Sequence, residues 1–301
     1  MCGDSTSQKD VAKLMDGKKA NMVFTDPPYN VNYKWSGENT SEGIMNDHMD
    51  SDSFDTFLDD IFARYQESTE EKSGVYVFHS TSTQTAFQNA MERNKFHIKN
   101  QLIWNKPMAS LGWWDYRWKH EPFYYASSSE GGANFYGDRT HATVIDSFDG
   151  KTDQDILTMI KNAREAEKSG KATIWTMSRD NVNEYVHPTQ KPVELITYAL
   201  QNSSLEDQLV IDFFGGSWST LIACEKKRRI CYAMELDPKF VQVIINRYAL
   251  YDGSIEHITV PQSRSEHLST RHRIILYFFN VLLWKKSTLQ NRWMRQPSSP
   301  R

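Results

Sequence analysis

The stretch Met22-Val-Phe-Thr-Asp-Pro-Pro-Tyr-Asn30 constrains this chain more than any other, because a short apolar run ends abruptly in a carboxylate, two prolines and an aromatic ring. Met22 to Phe24 are predicted to form a buried parallel strand. Pro27 and Pro28 stop it, since each fixes φ and has no N–H to offer a neighbouring strand. The groups from Asp26 to Tyr29 are thereby displayed beyond the strand's carboxyl end, which is the edge of an open α/β sheet where ligands bind.

Such a loop suits attack by an aromatic amine. The lone pair of the exocyclic nitrogen of adenine or cytosine is delocalised into the ring, which makes the nitrogen a poor nucleophile. Two acceptors that take both of its N–H bonds would draw it towards tetrahedral geometry. Asp26 offers a carboxylate oxygen, Pro27 a carbonyl on stiff backbone that Pro28 extends, and Tyr29 a face on which an extruded base could stack. The ordinary alternative is an Asp-Pro turn at a strand end.

Composition bounds the rest. The 301 residues, 39% of them hydrophobic, suffice for one large or two ordinary globular domains. Cys2, Cys224 and Cys231 show no ligand spacing, so neither a disulfide framework nor a zinc or other metal site is indicated. No membrane span or signal peptide is expected. The expected place is the cytoplasm of a bacterium, or of one carrying a phage gene. The net charge of −3 is uneven: residues 262–301 carry +7 and the remainder −10. An acidic body removes gross charge as an argument for nucleic acid without excluding a local basic groove.

In chain order, Gly3-Asp4-Ser5 reads as a loop, and residues 8–19 as a short helix with Val11, Leu14 and Met15 inward. Phe54 to Tyr65 repeat at helical spacing. Gly74 to His79 and Ile98 to Trp104 read as strands, with a helix from Gln84 to Arg93 between them. This alternation predicts a parallel sheet. Residues 111–125 interleave aromatics with cations, which fits either base stacking and phosphate contact or strand packing. From Ser127 to Tyr185 the alternation lapses, as in an inserted subdomain.

After His187-Pro-Thr-Gln-Lys-Pro192 a helix is expected, then a strand at Leu209 to Ile211 running into Asp212-Phe-Phe-Gly-Gly-Ser217. A glycine turn between strand and helix lets backbone N–H groups approach a nucleotide-like ligand. The next strand, Ile230 to Met234, ends at Glu235, where an acidic side chain suits ribose hydroxyls. Asp237-Pro238 reads instead as the cap and first residue of a helix.

Taken jointly, Asp26-Pro-Pro-Tyr29, His187-Pro-Thr-Gln-Lys-Pro192, Asp212-Phe-Phe-Gly-Gly-Ser217 and Glu235-Leu-Asp-Pro238 resemble, in order, the motifs of the β-class amino DNA methyltransferases. Asn105-Lys106-Pro107 and His120-Glu121 also sit where that family has similar residues. The resemblance covers residues 1 to about 250 and implies an α/β fold, a circularly permuted class I methyltransferase sheet, mostly parallel, with helices on both faces. It implies a site-specific enzyme of restriction–modification type that transfers a methyl group from S-adenosylmethionine to adenine N6, or alternatively to cytosine N4, in double-stranded DNA after base flipping. Asp26, Pro27, Pro28 and Tyr29 would be catalytic. Asp4, Lys191, Asp212, Phe213, Phe214, Gly215, Gly216, Ser217 and Glu235 would hold the cofactor, with Asp4 at its adenine and Lys191 near its methionine end.

The implied organisation is a catalytic half at 1–127, a target-recognition insert at 128–185, a cofactor-binding half at 186–261 and a basic tail at 262–301. A homodimer stays open. Other amine or amide acceptors, or a non-catalytic DNA-binding relic, are the competing classes. Trp218 departs from the family pattern, which has glycine there. The indole is expected either to crowd the donor or to swing outward and widen the loop, so Trp218→Gly should tighten cofactor binding.

Overall fold

The structure, a computed structural model, describes residues 1–32, 45–106, 115, 117–137, 154, 157–158, 161, 174–176, 190–216 and 218–252. The strand that begins the catalytic motif, β1 (Ala20–Thr25), is almost wholly inaccessible on both faces, as a central strand must be. β2 (Thr69–Phe78) pairs with it in parallel on one side and β6 (Leu209–Asp212) on the other. With β3 (His97–Asn105), β4 (His120–Ser127), β5 (Ile174–Thr176) and β7 (Ile230–Ala233), the sheet has seven strands in the order β5-β3-β4-β2-β1-β6-β7.

Pairing is parallel except around β4, which runs antiparallel to both β2 and β3. The sheet is thus mostly parallel, as expected, and the exception arises where β4 pairs with β3, the strand before it in the chain, an antiparallel arrangement that needs no crossover helix. Of the stretch expected as an insert, residues 174–176 extend this same sheet beside β3.

Side-chain alternation sends two cores to opposite faces. Val23, Val75 and Val77 face the helices α1 (Gln8–Met15), α2 (Ser51–Ser68) and α3 (Gln84–Arg93), whose inward residues include Leu14, Phe62 and Phe87. Met22, Phe24, Tyr76 and Phe78 face α4 (Val193–Ser203) and α5 (Ser219–Lys226) through Ile196, Leu200 and Ile222. Each such side chain contributes roughly 1.5–3 kcal/mol on burial, which fixes the register of the strands and hence the positions of their ends. α1 is shorter than the spacing predicts. Its Ser7 cap is satisfied by the Asp10 N–H, but Asp16 enters the left-handed region at φ 46° and ends the helix. α6 (Pro238–Asp252) begins as expected, with the Asp237 carboxylate accepting the Lys239 N–H at 2.8 Å.

One consequence of this topology matters most for the site. The carboxyl ends of β1, β2, β3, β6 and β7 and the amino end of β4 lie along one edge, which gathers Asp26, His79, Lys106, Asp212, Glu235 and Glu121. No helix among the described residues is long and apolar enough to cross a membrane.

Candidate active site

A cavity of about 470 Å³ opens along this edge, within the size range of small-molecule sites. Asp26, Pro27, Pro28 and Tyr29 form one wall, and Phe213, Phe214, Gly216 and Glu235 the facing one. The two predicted loops therefore do meet, although 165 residues separate Asp26 from Lys191 in sequence.

Asp26 is held from both sides. Its Oδ1 accepts the Tyr29 hydroxyl, and its Oδ2 accepts from Lys191 Nζ at 2.5 Å. Lys191 also lies 3.3 Å from Glu121 Oε2, and Glu121 Oε1 is 2.5 Å from Lys106 Nζ. The result is an alternating row of four charges, Asp26, Lys191, Glu121 and Lys106. The Lys191 side chain is 7% exposed, and its ammonium sits 4.9 Å above the Phe78 ring. Burial alone would favour its neutral amine, but Asp26 and Glu121 outweigh that and raise its pKa. Burial pushes the Glu121 carboxyl up, and Lys191 and Lys106 more than reverse it, leaving its pKa below the usual range. Burial also raises Asp26; Lys191 opposes this and the Glu121 charge adds to it. The side chain expected near the cofactor's methionine end is thus paired with the Asp26 carboxylate. It also borders a void of about 50 Å³ shared with Asp212, Gly215 and Gly216, where the two loops touch.

On the other loop, Asp212 is 4% exposed and accepts the Thr220 hydroxyl at 2.7 Å and the Phe214 N–H at 3.1 Å. Burial raises its pKa from 3.8 to about 7, against the effect of those two hydrogen bonds. Between these values the folded state binds more protons than the unfolded one, so the resulting stability is complete below about pH 4 and is lost as pH rises through about 7. Asp212→Asn removes this ionisation. Relative to the parent it should gain stability from pH 4 to 7, up to about 4 kcal/mol, and hold that gain above. Thermal melts of both proteins across this range test it, and a difference in Tm that does not change with pH would refute it.

Phe213 stacks on Tyr65 at 4.5 Å and donates its N–H to the Tyr65 hydroxyl, which pins the start of the glycine turn. Glu235 accepts the Gly216 N–H at 2.8 Å and the Asp237 N–H at 3.0 Å, so it bridges the turn and the head of α6. Glu235 also lines the cavity. Asp4 turns one oxygen onto the Thr6 N–H and hydroxyl; its neighbours Gly3 and Ser5 line the cavity. The loop is placed by a parallel bridge from Cys2 to Glu235, with Gly3 N–H donating to the Glu235 carbonyl. Ser217, residues 187–189, the expected recognition insert apart from residues 128–137, 154, 157–158, 161 and 174–176, and the basic tail lie outside the described residues.

Trp218 takes neither course expected of it. At φ 57° its indole turns inward, 9% exposed, against Ala233, Ile244, Leu221 and Phe240, and it lines neither cavity. A Cβ at Gly215 would lie 2.1 Å from the indole Nε1, so glycine there makes room for the ring, while Gly216 at φ 47° supplies the turn.

Sequence reasoning gave no role to three residues on this edge. His79, 0% exposed, stacks on Tyr124 at 4.3 Å; burial lowers its pKa to about 4, so it is neutral where the cavity receives it. Lys106 and Glu121 complete the charge row. The available signal was a charged residue at the end of each of two apolar strands that face one another in antiparallel register, Asn105 opposite His120.

A seven-stranded sheet with the acceptor loop and the glycine loop facing one cavity defines a methyltransferase fold. Solved structures agree: the M1.HpyAVI–SAM complex superposes with TM-score 0.55 at 17% identity, covering 82% of this chain and 98% of that one. The PvuII DNA methyltransferase (cytosine-N4-specific) gives 0.58 at 15%, covering 86% of each. The sequence places the chain more narrowly. Residues 20–247 match the N6_N4_Mtase DNA methylase family, and the chain belongs to it. The DNA adenine methyltransferase YhdJ of Escherichia coli (strain K12) is 23% identical over 270 residues, 87% of this chain and 88% of the relative.

Proposed function

We propose that this DNA methylase transfers a methyl group from S-adenosylmethionine to the N6 amine of adenine flipped out of double-stranded DNA. The observation that carries this reading is the single cavity on which Asp26, Pro27 and Tyr29 face Phe213, Gly216 and Glu235. The residues present fit the donor: a glycine turn, a carboxylate beyond the next strand for ribose hydroxyls, and aromatic walls. Gly3, Ser5, Phe213, Phe214, Gly216 and Glu235 would hold it. When bound, it supplies an electrophilic methyl group on a sulfonium.

The chain's own groups prepare the acceptor. Asp26 and the Pro27 carbonyl take the two N–H bonds of the amine, and Asp26, whose pKa burial raises, receives the proton that the methylated nitrogen sheds. Tyr29 stacks on the base, and low-dielectric walls strengthen both hydrogen bonds. At the rim Trp118 is 43% exposed between the exposed Arg117 and Lys119, an arrangement suited to bases and phosphates. Residues 128–185 would read the target sequence, and a DNA substrate supports a cytoplasmic location. Adenine is preferred to cytosine because the acceptor loop begins with Asp26, where N4 members more often have Ser, and because the relative YhdJ is named an adenine enzyme. Mass spectrometry of digested DNA from cells expressing the chain should show N6-methyladenine. N4-methylcytosine alone would reject the choice of base, and no methylated base would reject the activity.

A further inference from the structure

We propose that Glu121 is a positioning residue for methyl transfer: it gives the Lys191 ammonium a second carboxylate to turn to, so that the target amine can displace it from Asp26. This rests on the activity proposed above. The geometry is specific. Lys191 Nζ stands between two carboxylates, 2.5 Å from Asp26 Oδ2 and 3.3 Å from Glu121 Oε2, with the Tyr29 hydroxyl at 3.5 Å. The Asp26 contact is the close one, and Glu121 Oε2 is buried without a hydrogen-bond partner among the described residues. Glu121 is anchored in turn by Lys106, at 2.5 Å, itself 5.7 Å from the Trp104 ring centroid.

Four charges alternating in sign make the row neutral, and a neutral row is what a buried edge tolerates. A simple Asp26–Lys191 pair would meet that condition with two residues. It would also leave the ammonium wholly committed to Asp26, on the oxygen that faces away from Tyr29, and Tyr29 already holds the other. In the structure both Asp26 oxygens are taken, and with a simple pair an amine arriving from the cavity could displace the ammonium only by orphaning it. Glu121 gives the displaced ammonium an acceptor, and Lys106 stops Glu121 from claiming it beforehand. The strand register sets this arrangement, since Glu121 lies opposite Trp104 in β4 and β3, on elements that do not carry the acceptor loop.

The titratable groups facing Asp26 are Tyr29 on its own loop, Lys191 ahead of α4, Glu121 on β4 and Asp212 on β6. They give the variants opposite signs. Glu121→Gln keeps the shape and removes a repelling charge, so Asp26 ionises more readily and the acid limb of the kcat profile moves to lower pH. Lys191 then has no second carboxylate to turn to, and kcat falls about ten- to a hundredfold with KM for S-adenosylmethionine unchanged. Lys191→Met moves the acid limb the other way, to higher pH. So does Lys106→Met, because Glu121 then takes more of Lys191.

The experiment is the pH profile of single-turnover methylation for the parent and these three variants, together with a ¹³C-carboxyl NMR titration of Asp26 in the full chain, assigned through Asp26→Asn. The NMR titration does not depend on turnover and stands even if the Lys191 variant fails to fold, since Glu121→Gln is isosteric. Opposite displacements support the proposal. An Asp26 titration that Glu121→Gln leaves unmoved or raises would overturn it and make the row a purely structural ion cluster. A parent that methylates no DNA would count against the proposed activity, while the Asp26 titration would still decide the role of Glu121.

Discussion

Asp26→Ala abolishes methyl transfer, lowering the single-turnover rate by about 10²–10³ or more, while S-adenosylhomocysteine still binds with parental affinity. The division follows from the two walls of the cavity. Asp26 belongs to the acceptor loop after β1, whereas Phe213, Gly216 and Glu235 belong to loops after β6 and β7. Loss of the carboxylate removes the acceptor that pyramidalises the amine and receives its proton. It also leaves Lys191 with Glu121 as its remaining carboxylate, so the buried ammonium is not orphaned and the fold should survive. Asp26→Asn is the informative companion. It keeps a carbonyl acceptor and the packing but loses the charge, and should retain a small fraction of the rate. Rapid-quench methylation of duplex DNA and calorimetric titration of the cofactor product separate the two effects. Turnover within a factor of about ten of the parent in Asp26→Ala would end the assignment of Asp26 as the acceptor of the amine.

What could be read from the sequence divides along a physical line. The acceptor loop was legible because two prolines permit no other continuation of a strand. The glycine turn and Glu235 were legible because spacing along the chain reports which groups gather at one sheet edge. Asp237 was correctly set aside as a helix cap for the same local reason. Interactions between distant segments were not legible. Nothing near Lys191 announces Asp26, 165 residues away, nor Glu121 on β4, which runs antiparallel to both its neighbours. The reversal of β4 is what brings the amino end of that strand, and so Glu121, to the edge where the other strands end. Had β4 been parallel, its charged end would lie at the opposite edge.

Trp218 shows the same limit at a single residue, and a large effect on stability follows. Because the family pattern has glycine here, the indole is expected either to crowd the donor or to swing outward and widen the loop. The structure buries it beneath the turn instead, with Ile244 and Phe240 from α6 around it. Trp218→Gly should therefore destabilise the protein. Emptying the site costs about 3–5 kcal/mol. Relief of a left-handed tryptophan at φ 57° returns about 1–2 kcal/mol of that. The indole Nε1 has no hydrogen-bond partner among the described residues, so its loss sacrifices no hydrogen bond. A net loss of about 1–4 kcal/mol is expected, with no tightening of the cofactor. The neighbour supplies the stricter test. Gly215→Ala should be severe in the parent, where its Cβ would meet the indole at 2.1 Å, and mild once Trp218 is glycine. Urea unfolding of the two single variants and the double variant closes this cycle, with a coupling of at least about 1 kcal/mol expected. Additive costs, or tighter cofactor binding by Trp218→Gly, would mean that the ring stands in the ligand's path after all.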